Sequence, residues 1–222
     1  MIDIIVPTIG RADRLAALVE NITAATIRKH RVYFVTEAHD EATITAVHAL
    51  GLVPIINART ENYAGAVNTA YDATDGDYLF CGADDLVFHH GWDADALRRQ
   101  THDDWFAVFG TNDLLNPYVM AGAHATHSLV ARWYLDEIGG VVDIGPGSFL
   151  PECYDHNFTD TEFIGTAKMR ARFVPCLDAV VEHMHVSKTG VVDDTHMRSV
   201  REFHADDALY ESRRDLWFGI SR

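Results

Sequence analysis

Up to residue 81 the chain alternates between two hydrophobic periods. Residues 2–6 (IDIIV) form a short apolar run ending at Pro7, Thr8 and Gly10, the pattern of a buried strand followed by a loop. Between residues 14 and 23, Leu15, Leu18, Val19 and Ile22 recur at helical spacing, with Asp13 placed as N-cap. The alternation repeats. RVYFVT (31–36) reads as a second strand, 41–50 as a helix stopped by Gly51, and 53–57 as a third strand. Residues 63–73 read as a helix with Gly65 near its start, and DYLFC (77–81) as a fourth strand. Repeated strand–helix units predict an α/β fold with a mostly parallel, doubly wound, Rossmann-like sheet.

Beyond residue 81 the rhythm changes. Residues 105–110 and 124–131 read as strands of a mixed region, and 133–138 as a short helix ended by Gly139 and Gly140. A helix is expected over 160–171, strands over 173–174 and 179–186, and a mostly helical segment over 195–218 carrying Val200, Phe203, Leu209 and Leu216. The expected organisation is one core over residues 1–190 and a helical appendage over 191–222.

Composition narrows the function classes. With 222 residues, 48% hydrophobic and 23% charged, the chain can bury a sizeable core, which excludes a disordered or low-complexity protein. Its 18 Lys and Arg stand against 33 Asp and Glu, a net charge of −15. That balance disfavours duplex DNA and anionic membranes, both of which need cations. The three cysteines form no CxxC pair and are expected to be free thiols of a reduced protein. The opening apolar run is short and interrupted by Asp3, unlike a signal peptide, and no run of about 18 apolar residues could span a membrane. A cytoplasmic protein is expected. Thirteen histidines, several beside acids, make a metal worth considering.

Four segments carry candidate chemistry. Gly82-Ala83-Asp84-Asp85 follows a predicted parallel strand directly, where open sheets bind ligands. Its two carboxylates suit Mg²⁺ or Mn²⁺, or a turn cap. Glu182-His183-Met184-His185 closes an apolar strand, so the two imidazoles share a face and Glu182 takes the other. They suit a metal, a phosphate or a pair of satisfied histidines. In YDHNFTDTEF, Asp160 stands where a helix should begin and reads as N-cap or general base, with Glu162 in the first turn. In NYAGAVN (62–68), Gly65 would let a ligand approach the backbone at a helix N-terminus. No GxxxxGK[ST], GxGxxG or GxSxG pattern is present, so neither a P-loop NTPase, a dinucleotide enzyme nor an α/β-hydrolase is supported.

Taken in order, these segments resemble the nucleotide-sugar glycosyltransferases of family 2, which have the GT-A fold. IIVPTIGRADRL resembles the first strand and loop of that family, and NYAGAVNTAY its N-x-G-x-A-x-N helix start, shortened. YLFCGADDLVFHHGW resembles its DXD strand and following G-W, FTDTEF its base-bearing segment, and PCLDAVVEH its last core strand. The likeness runs over about residues 2–190. Ala83 replaces the first acid of the DXD triplet, Thr159 the glutamate before the base, and Glu162 the following aspartate. Glu37 is nearest to the aspartate that touches the nucleotide base.

What the resemblance implies is transfer of a sugar from a nucleotide diphosphate sugar to an acceptor hydroxyl. Asp160 would be the base of an inverting displacement, with Glu162 beside it. Asp85 and His183 would hold Mn²⁺ or Mg²⁺, with His185 a second candidate ligand and Asp84 the middle residue of the motif. Pro7, Thr8, Arg11, Glu37, Arg59, Asn62, Gly65 and Asn68 would surround the donor, with Arg11 or Arg59 near phosphate. Small members of this type occur in phage genomes, which implies an acceptor protein, glycan or modified nucleotide in a host cytoplasm. Two alternatives stay open. A nucleotidyltransferase would need a more basic, Gly-rich loop after the first strand than Gly10-Arg11 offers. A nucleotide-sugar binding module that has lost catalysis draws on Ala83 and Thr159.

Overall fold

A computed structural model of the chain describes residues 1–100 and 105–217. In chain order the elements are β1 (Ile2–Pro7), α1 (Leu15–Ala25), β2 (His30–Thr36), α2 (Glu41–Ala49), β3 (Ile55–Ile56), α3 (Tyr63–Ala73), β4 (Tyr78–Cys81) and β5 (Leu86–Phe88). There follow α4 (Trp92–Leu97), β6 (Val108–Asn112), α5 (Pro117–Met120), β7 (Ser128–Ala131) and α6 (Arg132–Glu137). The last are α7 (Thr159–Met169), β8 (Phe173–His183), α8 (Val186–Thr189) and α9 (Asp194–Arg213), with 3-10 turns at Ala12–Arg14 and Arg214–Leu216.

The described strands form one eight-stranded sheet in the order β3-β2-β1-β4-β7-β6-β8-β5. β3, β2, β1 and β4 run parallel, β7 runs antiparallel to β4 and β6, β8 runs parallel to β6, and β5 antiparallel to β8. The doubly wound half and the mixed half expected from the sequence are both present.

Alternation along the strands divides the core between the two sheet faces. Ile4, Val6, Phe34 and Phe80 pack with Leu15, Leu18, Ile22 and Val47 of α1 and α2. Ile5, Val35, Leu79 and Cys81 pack on the opposite side with Val67 and Ala70 of α3, Leu135 of α6 and Phe163 of α7. On the first face Trp92 meets Phe80 and Phe88 at ring distances of 4.6 and 5.2 Å and donates to Thr26 Oγ1 at 3.0 Å. Its neighbour Asp93 is fully buried and accepts the N–H groups of Ile27 and Arg28 at 3.0 and 2.8 Å. Short α4 thus closes the loop between α1 and β2.

Several local expectations change. Asp13 caps nothing; a 3-10 turn leads into α1 instead. β6 begins at Val108 and β7 at Ser128, later than residues 105 and 124. The two strands expected over 173–174 and 179–186 are one strand, β8. Its irregularity is a register shift, with Thr111 facing Cys176 and the next residue, Asn112, facing Val180. The chain leaves the sheet at His183, and residues 186–189 form α8. β5, α4 and α5 carried no periodic signal because each is six residues or shorter. Phe218, the end of the expected C-terminal helix, lies outside the described residues. The three cysteines are free, Cys81 and Cys176 buried and Cys153 exposed. No described helix is long and apolar enough to cross a membrane.

Candidate active site

β1 and β4 run side by side, with Ile5 opposite Cys81, and both stop at the same edge. At that edge β1 ends in Pro7 and the chain after it supplies Thr8 and Arg11, while the chain after β4 supplies Ala83, Asp84 and Asp85. These residues meet the start of α7 and the end of β8 around a cavity of about 830 Å³. Pro7, Arg11, Tyr63, Asp84, Asp85, Asp160, His183 and His185 line it.

The adjacent acids have different fates. Asp84 is buried, accepting the Thr8 hydroxyl at 2.7 Å and Arg11 Nη1 at 2.6 Å. Burial pushes its carboxyl up, against the pull of Arg11 and Thr8. Asp84 therefore pins the two loops together. Asp85 immediately precedes β5, and its Oδ2 lies 3.4 Å from His183 Nε2. Burial opposes its charge, but the His183 imidazole outweighs it and holds Asp85 down to about 2, so the carboxylate is ionised. The pairing is built by the sheet: Leu86 faces His183, and Met184 N–H donates to Asp85 O at 2.8 Å.

Imidazoles surround this pair. His127 packs on His183 with ring centres 5.3 Å apart, and His183 lies 5.4 Å from His185. His127 Nδ1 meets Cys81 O at 2.9 Å, while its buried Nε2 has no hydrogen-bond partner. Burial, with His183 next, pushes the ring down to about 4, so it is neutral. His185 Nδ1 accepts from Ser187 N–H at 3.3 Å and caps α8. As the alternation foresees, Glu182 faces away, toward Lys188 at 3.1 Å and His89 at 3.4 Å.

Asp160 and Glu162 part company at the start of α7. The N-cap is Phe158, in the left-handed region at φ 66°, so Asp160 sits in the first turn and is not the cap. Asp160 lines the cavity and meets His124 Nε2 at 3.0 Å. Burial pushes its carboxyl up, but His124, the Thr161 N–H and His127 outweigh burial and leave it below the ordinary value. Glu162 is fully buried and away from the cavity, accepting Tyr154 Oη at 2.6 Å and Arg213 Nη2 and Nε at 2.7 and 2.9 Å. Its partners make it a structural carboxylate.

The other expected donor residues serve the scaffold. Asn62 caps α3 by accepting Gly65 N–H at 2.7 Å and donates to Tyr154 O at 2.8 Å. Asn68 clasps Leu150 through both its amide atoms at 2.9 Å. A Cβ on Gly65 would come 2.0 Å from Thr60 O, so the close approach this glycine permits is to the protein's own backbone. Arg59 pairs with Asp72 and Glu152, and Glu37 accepts from Asn57 at 2.8 Å. None of these five lines the cavity.

Sequence reasoning missed His124, His127, Tyr63 and Asp193. The only signal for the first two was the histidine count. Arg11 Nη2 and Nε reach Asp193 Oδ2, the N-cap of α9, at 2.5 and 3.0 Å, and Arg14 reaches it at 3.4 Å.

Among the described residues no group of three or more His, Cys, Asp or Glu is arranged to hold a metal ion. The donors present nevertheless suit one kind of ion. Mg²⁺-like cations take one or two protein ligands and complete their shell with substrate phosphates and water. Asp85 and His183 offer two convergent donors in a cavity large enough for the rest. The carboxylate suits Mg²⁺ and Mn²⁺ alike, and the imidazole, a donor that first-row transition ions accept, favours Mn²⁺ of the two.

No curated protein matches this sequence. Solved structures share its fold. A mannosyltransferase from Pyrobaculum calidifontis, in complex with GDP-Man and Mn²⁺, superposes with a TM-score of 0.71 at 17% identity, covering 96% of this chain and 64% of the other. This chain thus spans under two thirds of that enzyme's length. Glucosyl-3-phosphoglycerate synthase from Mycobacterium tuberculosis, with Mn²⁺, UDP-glucose and phosphoglyceric acid, gives 0.58 at 11% identity, covering 87% and 81%. These likenesses establish the GT-A fold. The sequence model of glycosyl transferase family 2 matches residues 3–132. With that model spanning more than half of its length, from β1 through the Asp84-Asp85 loop to the start of α6, this chain belongs to glycosyl transferase family 2.

Proposed function

We propose that the chain transfers a sugar from a nucleotide diphosphate sugar to an acceptor hydroxyl, with inversion at the anomeric carbon. The observation that carries this reading is that the Asp85–His183 pair and Asp160 line one cavity at the ends of β1 and β4. Asp85 and His183 would hold Mn²⁺ or Mg²⁺, which when bound neutralises charge on the departing diphosphate. Arg11, already at the cavity wall, would add positive charge near the phosphates. Pro7 and the Thr8 loop would border the nucleoside.

Asp160 is the base in this reading. The acceptor oxygen forms a bond to the anomeric carbon while the bond from that carbon to diphosphate oxygen breaks. The diphosphate leaves with the electron pair, and the acceptor proton passes to a carboxylate oxygen of Asp160. A carboxylate kept ionised in a partly closed site is ready to take it. The acceptor is a protein, a glycan or a modified nucleotide.

A second reading draws on Asp84. With Ala83 before it and its own oxygens occupied by Arg11 and Thr8, the loop offers one free acid, which suits a module that binds nucleotide sugars without turning them over. One experiment separates the two. UDP-glucose, GDP-mannose and TDP-glucose are incubated with protein and Mn²⁺, and released nucleoside diphosphate is measured. Release from one donor, abolished by EDTA, is expected of a transferase using water as acceptor. Tight binding without release overturns transfer in favour of the module.

A further inference from the structure

We propose that His124 is the positioning residue of the reaction, holding Asp160 from behind so that the base points into the donor cavity. The proposal rests on the reading of Asp160 as base. His124 lies on the segment between α5 and β7, and its Nε2 is 3.0 Å from Asp160 Oδ2. The other oxygen, Oδ1, accepts the Thr161 N–H at 2.8 Å and the Thr161 hydroxyl at 3.3 Å. Oδ1 thus has both lone pairs engaged by Thr161, while Oδ2 has His124 as its fixed donor and keeps a further lone pair for a substrate proton.

The two residues belong to different cavities. Asp160 lines the donor cavity; His124 does not, and lines a second cavity of about 950 Å³ with Tyr118, Lys168 and Trp217. His124 therefore acts on a substrate in the first cavity only through Asp160. The arrangement is braced, because Lys168, further along α7, donates to the carbonyl of Ala123, the residue before His124. α7 grips the 123–124 segment at two points, and the ring of His124 is 14% exposed.

Chemistry sets the tautomer. An ionised carboxylate only accepts, so the hydrogen must sit on Nε2. A base swinging freely about two side-chain bonds would lose rotamer entropy on reaching the reactive geometry. Misplacement of a reacting group by about 1 Å costs on the order of a hundredfold in rate.

The test uses the full chain with His124→Ala, His124→Gln and Asp160→Ala. Hydrolysis of UDP-glucose, GDP-mannose and TDP-glucose with Mn²⁺ gives kcat and KM, thermal unfolding reports stability, and ¹⁵N NMR reports the His124 tautomer. His124→Ala is expected to lower kcat by roughly ten- to hundredfold with KM for donor unchanged. His124→Gln, whose amide N–H can reach the same oxygen, should recover most of that loss. The native protein should show the Nε2-protonated ring, and Asp160→Ala should release that preference. Unchanged kcat in His124→Ala overturns the proposal. So does a loss shared between kcat, KM and unfolding temperature that Gln does not repair, or a neutral ring protonated on Nδ1 alone. If the native protein hydrolyses none of the three donors while the tautomer is as expected, the transferase reading fails and the pair is structural only.

Discussion

Asp160 and Glu162, two residues apart at the start of α7, face opposite environments: the first lines the cavity at the ends of β1 and β4 and the second is sealed against Arg213 at 2.7 Å. About 200° of helical turn separates their side chains. Only Asp160 can meet a molecule in that cavity. Asp160→Asn is expected to lower transfer by about 10²–10⁴-fold while UDP or GDP affinity and unfolding temperature hold. Glu162→Gln should keep turnover per folded molecule and lose stability. Rates, calorimetry and melting curves on both variants check this. Near-native turnover in Asp160→Asn would remove the base from the mechanism.

The Glu162–Arg213 pair joins α7 to the end of α9, and Glu162 has no exposed surface. Removing the cation strands a buried carboxylate with one phenol. Arg213→Leu is expected to cost about 3–5 kcal/mol in urea unfolding, with the slope of the transition unchanged. A loss under about 1 kcal/mol, the value of a surface pair, would mean that the site relaxes and admits water.

Nucleoside diphosphate binding should need a divalent cation. Calorimetry with UDP and GDP is expected to give at least about tenfold weaker binding in EDTA than in Mn²⁺, with Asp85→Asn matching the EDTA result in both conditions. Equal affinities would detach Asp85 and His183 from metal binding without touching the fold.

Acid should loosen α9. Asp206 accepts the N–H groups of Asp155, His156 and Asn157 at 2.8, 2.9 and 2.7 Å. Burial pushes its carboxyl up, but these donors outweigh it and the group ends below its ordinary value. A carboxyl whose folded value is depressed adds stability above its unfolded value, about 3.9, and loses it as pH falls through the folded one. The unfolding temperature of the native chain should therefore fall more steeply below about pH 4 than that of Asp206→Asn. Parallel curves would show that this carboxylate is not linked to folding.

Gly65→Ala tests the scaffold role of the α3 start. The new methyl meets Thr60 O, a backbone atom that cannot rotate away. A loss of about 1–3 kcal/mol is expected, with nucleotide affinity of the folded fraction retained. Selective loss of nucleotide affinity at native stability would instead place a ligand against Gly65.

Local period determined the scaffold. Ile4 and Val6 alternate with Ile5, and Leu15, Leu18 and Ile22 recur at helical spacing, because burial on one face leaves a repeat that neighbours in sequence must obey. The parallel half, the acids after β4 and the histidines ending β8 were legible for that reason. Tertiary structure alone decided what each polar residue became. Asp84 and Asp85 are the same residue type one position apart, yet Arg11 and Thr8 occupy one while His183, nearly a hundred positions away, faces the other. β5 exists because β8 pairs with it, and His127 enters the site because β7 lies against β4. A hydrogen bond depends on a partner brought within about 3 Å by the whole fold, and no local repeat records that partner.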